Sequence, residues 1–201
     1  MFKLITSTLL LISCFVIASA QEAATAESKL PKGEFDYKLL ATKRVTTMEK
    51  EMREAASAGY RFVEVVSGET VFGGSEALVV MARPKVSDPK PKFDYKLLAT
   101  SKTSTMQKEL QEAGDAGFEH RGQSVFKKTF GPAEVVVILE RDIDAKPKLW
   151  DYKLLATSKT STMQKEVMEA AEAGYQFVGF SSGATFFGGT EVITIMRRPR
   201  E

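Results

Sequence analysis

The chain has 201 residues, 43% of them hydrophobic and 27% charged, which is the balance of a folded globular protein and excludes a disordered or collagenous one. Its 28 basic and 26 acidic side chains are interspersed and leave a net charge of +2, so the basic surface that duplex nucleic acid demands is missing and no nucleic-acid partner is expected.

Residues 1–20 read as a signal peptide. Lys3 precedes an apolar run over residues 4–17, and Ala18-Ser19-Ala20 offers the small residues a signal peptidase reads, with cleavage after Ala20. The expected address is the periplasm or the extracellular space. Leu11-Ile12-Ser13-Cys14 also matches a lipoprotein signal, but Phe15-Val16-Ile17 continue the apolar run past Cys14, which favours simple cleavage. The mature chain then has no cysteine, hence no disulfide and no thiolate chemistry. No second hydrophobic stretch follows, so no membrane span is expected. Residues 21–34 read as a flexible leader.

Three copies of one module follow. Phe35-Asp36-Tyr37-Lys38-Leu39-Leu40-Ala41-Thr42 recurs from Phe93 and again from Trp150, at spacings of 58 and 57 residues, and the register then holds without a gap. Gly59, Gly117 and Gly174 align, as do Arg83, Arg141 and Arg198. The modules span 35–84, 93–141 and 150–201, and the linkers 85–92 and 142–149 are rich in proline and charge, as semi-rigid spacers are.

Within a module the order is strand, helix, strand, strand. Tyr37, Leu39 and Ala41 alternate with polar neighbours, the period of a strand with one buried face. Thr46 with Glu49, Ser104 with Gln107 and Ser161 with Gln164 fit a capping box and predict the helix start. Met48, Met52, Ala55 and Ala56 form one helical stripe, and Gly59, Gly117 and Gly174 suit the left-handed position that ends a helix. An aromatic follows each glycine: Tyr60, Phe118 and Tyr175.

The third strand is the most apolar, at residues 78–81, 135–139 and 192–196. A helical crossover makes strands one and two parallel, and the third inserts between them in the antiparallel sense. The expected fold is therefore α+β: three tandem β-α-β-β modules, each a three-stranded mixed sheet of order 1-3-2 with one helix on one face. Because the third strand is apolar on both faces, its second face needs cover, and small domains bury too little to stand alone. Sheet-against-sheet packing between modules, or a homo-oligomer, is expected.

The Asp-Tyr-Lys-Leu-Leu opening, the Ala-Gly-Tyr after a short helix and the closing Arg83-Pro84 and Arg198-Pro199 resemble a bacterial family of small β-α-β-β domains of unknown function. The chain departs from that family's pattern in carrying Tyr60, Phe118 and Tyr175 where Trp is usual, and in ending copy two with Arg141-Asp142. The resemblance implies the fold and brings no activity with it.

The catalytic inventory is thin. His120 is the single histidine, standing where the other copies have Phe62 and Phe177, and a structural role is expected for it. The pairs Gly73-Gly74 and Gly188-Gly189 lack the Lys-Ser/Thr of a phosphate loop and read as hairpin turns. Glu76, Glu134 and Glu191 recur singly, which is turn chemistry and not a carboxylate pair. Lys43, Arg44, Lys102 and Lys159 read as a solvated rim. No catalytic residue, metal ligand or cofactor is assigned. Phe72, Phe130 and Phe187, at the hairpin tips, are candidate interaction residues if exposed and core closures if not. Copy two alone places Arg121 and Gln123 on its second strand, so one face there is wet or meets a polar partner. The expected function is binding or interaction by an exported, non-enzymatic repeat protein with a protein or polysaccharide partner. The alternative is a hydrolase or ligand-processing enzyme with an inter-module cleft near His120.

Overall fold

Alternating side chains lay down the first strand of each module, and the computed structural model places these at β1 (Phe35–Thr42), β4 (Phe93–Thr100) and β7 (Trp150–Thr157). The described residues are 34–69, 75–85, 92–126, 133–184 and 190–200. The first-strand residues are followed by helices α1 (Val45–Ser57), α2 (Thr103–Asp115) and α3 (Thr160–Glu172), and by the strand pairs β2 (Arg61–Glu69) and β3 (Ser75–Pro84), β5 (Glu119–Phe126) and β6 (Glu134–Asp142), and β8 (Gln176–Ala184) and β9 (Thr190–Pro199). The signal-like segment, the glycine pairs, and Phe72, Phe130 and Phe187 lie outside the described residues.

Each module is a three-stranded sheet, ordered β1-β3-β2, β4-β6-β5 and β7-β9-β8, with one helix. Every paired neighbour is antiparallel, and the two outer strands run parallel to each other across the central one. The expected α+β fold and 1-3-2 order are therefore present in all three copies. The same bulge interrupts each second strand, between Phe62 and Glu64, between His120 and Gly122, and between Phe177 and Gly179. A bulge leaves one residue outside the ladder and re-aims its neighbours.

The helix entry differs from the expected capping box. The N-cap residues are Arg44, Lys102 and Lys159, and none of them makes a side-chain cap hydrogen bond. The turn is closed one step earlier, where the hydroxyls of Thr42, Thr100 and Thr157 accept the N–H groups of Arg44, Lys102 and Lys159 at 3.2, 3.1 and 3.2 Å. Thr46, Ser104 and Ser161 consequently fall inside the first turn of each helix. Glu49 and Gln107, released from capping, are used elsewhere. The helix exits are as expected: Gly59, Gly117 and Gly174 have φ of 83°, 80° and 84°, and the N–H of Tyr60 reaches back to the carbonyl of Ala55 at 3.1 Å.

A recurring arginine clasps each module. The Arg83 guanidinium lies 4.7 Å from the Tyr60 ring centroid, donates to the carbonyl of Ala58 at 3.1 Å, and pairs with Asp36 at 3.3 Å. Arg141 repeats this with Phe118, Ala116 and Asp94, and Arg198 with Tyr175, Ala173 and Asp151. A stacked cation that also donates to a helix C-terminal carbonyl ties together the first strand, the helix end and the last strand. This explains why Asp, Arg and a post-glycine aromatic recur together.

The modules are layered with a helix between successive sheets. On the front of the first sheet, Leu40, Val79 and Met81 pack on Met48, Met52, Ala55 and Ala56 of α1, and the same cluster takes in Tyr95, Leu97, Val136 and Ile138 from the back of the second sheet. The next layer repeats the plan: Leu98, Val137 and Leu139 meet Met106, Leu110 and Ala113 of α2, together with Trp150, Tyr152 and Ile195 of the third sheet. In the second and third modules the second face of the sheet is covered jointly by the preceding module's helix and by its bulged strand, Phe62 and Val65 of β2 sharing the cluster with Val136 and Ile138, so the expected contact between sheets is present with a helix wedged in beside it. The sheets approach each other closely along the bulged strands, where a Cβ on Gly122 would lie 2.9 Å from Cζ of Phe62. The second linker is held in place as well, since Pro147 lies against Gly117 and Lys148 sits 4.4 Å from the Trp150 ring centroid.

Candidate functional site

The candidate site is the junction between modules, which occurs twice in the chain and has recurring parts. The outer first strand of each sheet is an edge, whose outward N–H and C=O groups need partners. At the first junction Glu49 accepts the Leu97 N–H at 2.8 Å, while Arg53 donates to the Tyr95 carbonyl at 2.9 Å and pairs with Asp94 at 3.1 Å. At the second, Gln107 alone does both tasks, accepting from the Leu154 N–H at 2.7 Å and donating to the Tyr152 carbonyl at 2.9 Å. Gln111 adds a similar pair, to the Tyr152 N–H at 3.1 Å and the Trp150 carbonyl at 3.2 Å. The helix side chains thus stand in for a missing neighbouring strand.

A tyrosine completes each junction. The Tyr95 phenol accepts the Phe62 N–H at 2.8 Å and donates to Glu140 at 2.7 Å. Burial first, and the adjoining Glu140 carboxylate next, push this phenol far above its ordinary value, so it remains protonated. The Tyr152 phenol accepts the His120 N–H at 2.7 Å and donates to the Phe118 carbonyl at 3.0 Å, and burial pushes it up to about 12. In both cases the N–H comes from the residue at the bulge.

The charges reverse from one junction to the next. Glu140, buried on the back of the second sheet, is held by Arg61 of the first module at 2.8 Å. At the equivalent positions of the second junction, Glu119 on the front holds Arg197 on the back at 2.6 Å. In the third copy the front position is Gln176, and in the first copy the back position is Ala82. This reciprocal change of sign is readable by aligning the three copies, and it marks residues that meet across a junction.

His120 lies in the second junction and is 6% exposed. Its Nε2 is 3.1 Å from Gln123 Oε1, and Gln123 Nε2 donates to Ser181 of the third module at 3.0 Å. The polar partner of Gln123 is therefore the third module, whereas Arg121 pairs with Glu140 of its own sheet at 3.6 Å. Burial lowers the His120 pKa to about 4, so the ring is neutral at physiological pH. Gly179 makes room for this group, since a Cβ there would lie 2.7 Å from Gln123 Oε1 and 3.1 Å from His120 Cε1. A crevice at the far end of the same junction is lined by Thr100, Met106, Val125, Leu154, Glu191 and Ile193, and His120 is not part of it. Among the described residues, Glu76 makes a loose pair with Lys43 at 3.9 Å, no cluster of three or more His, Cys, Asp or Glu suits a metal ion, and no helix is long and apolar enough to cross a membrane.

At the ends of the stack the same faces are uncovered. Tyr37 is 61% exposed and its equivalent Tyr95 is 0% exposed; Phe180 is 65% exposed and its equivalent Val65 is 5% exposed. Compared with known proteins, the chain matches no family model, no curated protein and no solved structure.

Proposed function

We propose that the chain is an exported, non-enzymatic repeat protein that acts by binding, its stacked modules presenting interaction faces to a macromolecular partner. The observation that carries this reading is the exposure of large apolar side chains at the two ends of the stack, on faces that are buried wherever a neighbouring module is present. Export rests on the signal-like residues 1–20. The buried, neutral His120, hydrogen bonded within the second junction, supports a structural role for the residue on which any acid-base chemistry would have to depend.

The test is photo-crosslinking in producing cells, with the probe placed at Leu39, at Phe180 and, as a control, at the helix-surface residue Lys165. Discrete crosslinked products from the two end-face positions, absent from the control, are expected. Equal crosslinking from all three positions, or hydrolysis of generic ester, phosphoester or glycoside substrates that disappears in His120→Ala, would overturn the reading.

A further inference from the structure

Among the described residues, the exposed large hydrophobic side chains, apart from the linker residues Ile143 and Leu149, fall into two groups. Tyr37, Leu39, Val63 and Val66 belong to the back of the first sheet, and Met168, Phe177 and Phe180 to the front of the third module. Position by position these are the two halves of a junction. Tyr37 and Leu39 correspond to Tyr95 and Leu97, which receive α1, while Phe177 and Phe180 correspond to Phe62 and Val65, which meet the back of the second sheet.

We propose that the occupant of both faces is a second copy of this chain, the front of its third module seating on the back of the first sheet and repeating between molecules the junction that the chain makes twice within itself. The proposal rests on the reading of the end faces as interaction surfaces and names their partner. The hydrogen-bonding parts are in place. Gln164 is the equivalent of Gln107, which satisfies the edge strand at the second junction, and the Tyr37 phenol is the equivalent of the two phenols that accept the bulge N–H groups. The N–H it would accept is that of Phe177.

Charge favours this pairing over the wrong ones. Seating the first front on the third back would bring Arg61 to Arg197, and seating the second front on the second back would bring Glu119 to Glu140. Like charges brought together in a contact work against it, whereas the end-to-end contact brings Gln176 to Ala82 and carries no such conflict. Copies joined in this way make a head-to-tail contact, which propagates as an open chain or closes as a ring.

One residue opposes it. Both internal junctions place a glycine, Gly122 or Gly179, where the facing side chains press closest, and the first module has Glu64 at that position. Glu64 folds over its own strand, its Oε1 accepting the Val65 N–H at 2.8 Å, and it stands where Phe177 and Phe180 of the next copy would rest. Because β2 is an edge strand, the carboxylate can swing outward, at a cost in affinity. A charge at an otherwise apolar sheet edge is a known means of limiting uncontrolled association. Self-assembly is therefore weak and reversible, and Glu64 sets its strength.

Sedimentation velocity of the purified protein across a range of concentrations tests this. Glu64→Gly should shift association to at least tenfold lower concentration than the wild type. Leu39→Glu and Phe180→Glu, each at an exposed position and each checked for an unchanged circular dichroism spectrum, should be monomeric alone. Mixed together, they should form a one-to-one dimer and nothing larger, because one retains only a live front and the other only a live back. A Glu64→Gly protein that stays monomeric throughout, or either glutamate variant associating alone as the wild type does, would overturn the proposal. Discrete end-face crosslinks to a different protein, with no self-association, would leave the binding function standing and remove only the second copy as its partner.

Discussion

The phenol oxygen of Tyr95, in the second sheet, accepts the backbone N–H of Phe62, in the first, at 2.8 Å. The N–H belongs to a strand residue next to a bulge, and the phenol also donates to the buried Glu140. Removing the hydroxyl leaves a buried donor and a buried carboxylate each short of a partner, which costs about 1–3 kcal/mol. Tyr95→Phe should therefore lower the urea midpoint clearly. Tyr37→Phe, at the equivalent position on the uncovered face, should stay within about 0.5 kcal/mol of the wild type.

The reversed charges of the two junctions make a second expectation. Arg61→Glu places a carboxylate against Glu140, whose burial leaves it without solvent compensation, and should destabilise by about 2 kcal/mol or more. Adding Glu140→Arg gives the first junction the polarity that Glu119 and Arg197 use in the second, and should recover part of the loss. Recovery is partial because the Tyr95 phenol then loses its carboxylate acceptor and Arg121, 3.6 Å from Glu140, then faces a like charge. A double variant whose loss equals the sum of the two single losses would show that the charges do not meet.

Much of this was legible in the sequence because each module satisfies its backbone locally. Strand alternation, the glycines at 59, 117 and 174, and the apolar third strand are enough to dictate the element order and the 1-3-2 sheet. The helix start differs from the expected one because Thr46 with Glu49 and Ser104 with Gln107 have the spacing of a capping box, and spacing cannot tell a side chain that turns back on its own helix from one that reaches an edge strand some 48 residues away. The clasp of Arg83 with Asp36 depends on strand register and was hidden for the same reason. The two-faced third strand shows that a cover is needed but not that a helix supplies part of it, since Met48 and Met52 look alike whether one sheet or two surround them.

His120 gives a pH dependence with a definite sign. Its folded value of about 4 lies below the ordinary 6.5, so between these values the unfolded chain binds a proton that the folded protein excludes. Stability is fully present above about pH 6.5 and is lost as pH falls toward 4, by a total on the order of 3 kcal/mol. His120→Phe, which restores the residue type of the other two copies, should flatten that part of the pH profile. In the wild type, the His120 ring resonance followed by NMR should titrate near pH 4, and titration near 6.5 would mean that the ring is open to water.

The layered stack with helices between its sheets is tested most directly by hydrogen exchange at four backbone amides: Phe62, Leu97, His120 and Leu154. Each donates to a side chain of the neighbouring module, namely Tyr95, Glu49, Tyr152 and Gln107. If the modules are joined as described, these amides should be protected nearly as well as those of the central strands β3, β6 and β9, and Tyr95→Phe should lower the protection of Phe62. Exchange of all four at the rate of exposed loop amides, while the central strands remain protected, would mean that the modules fold separately and that the junctions are not formed.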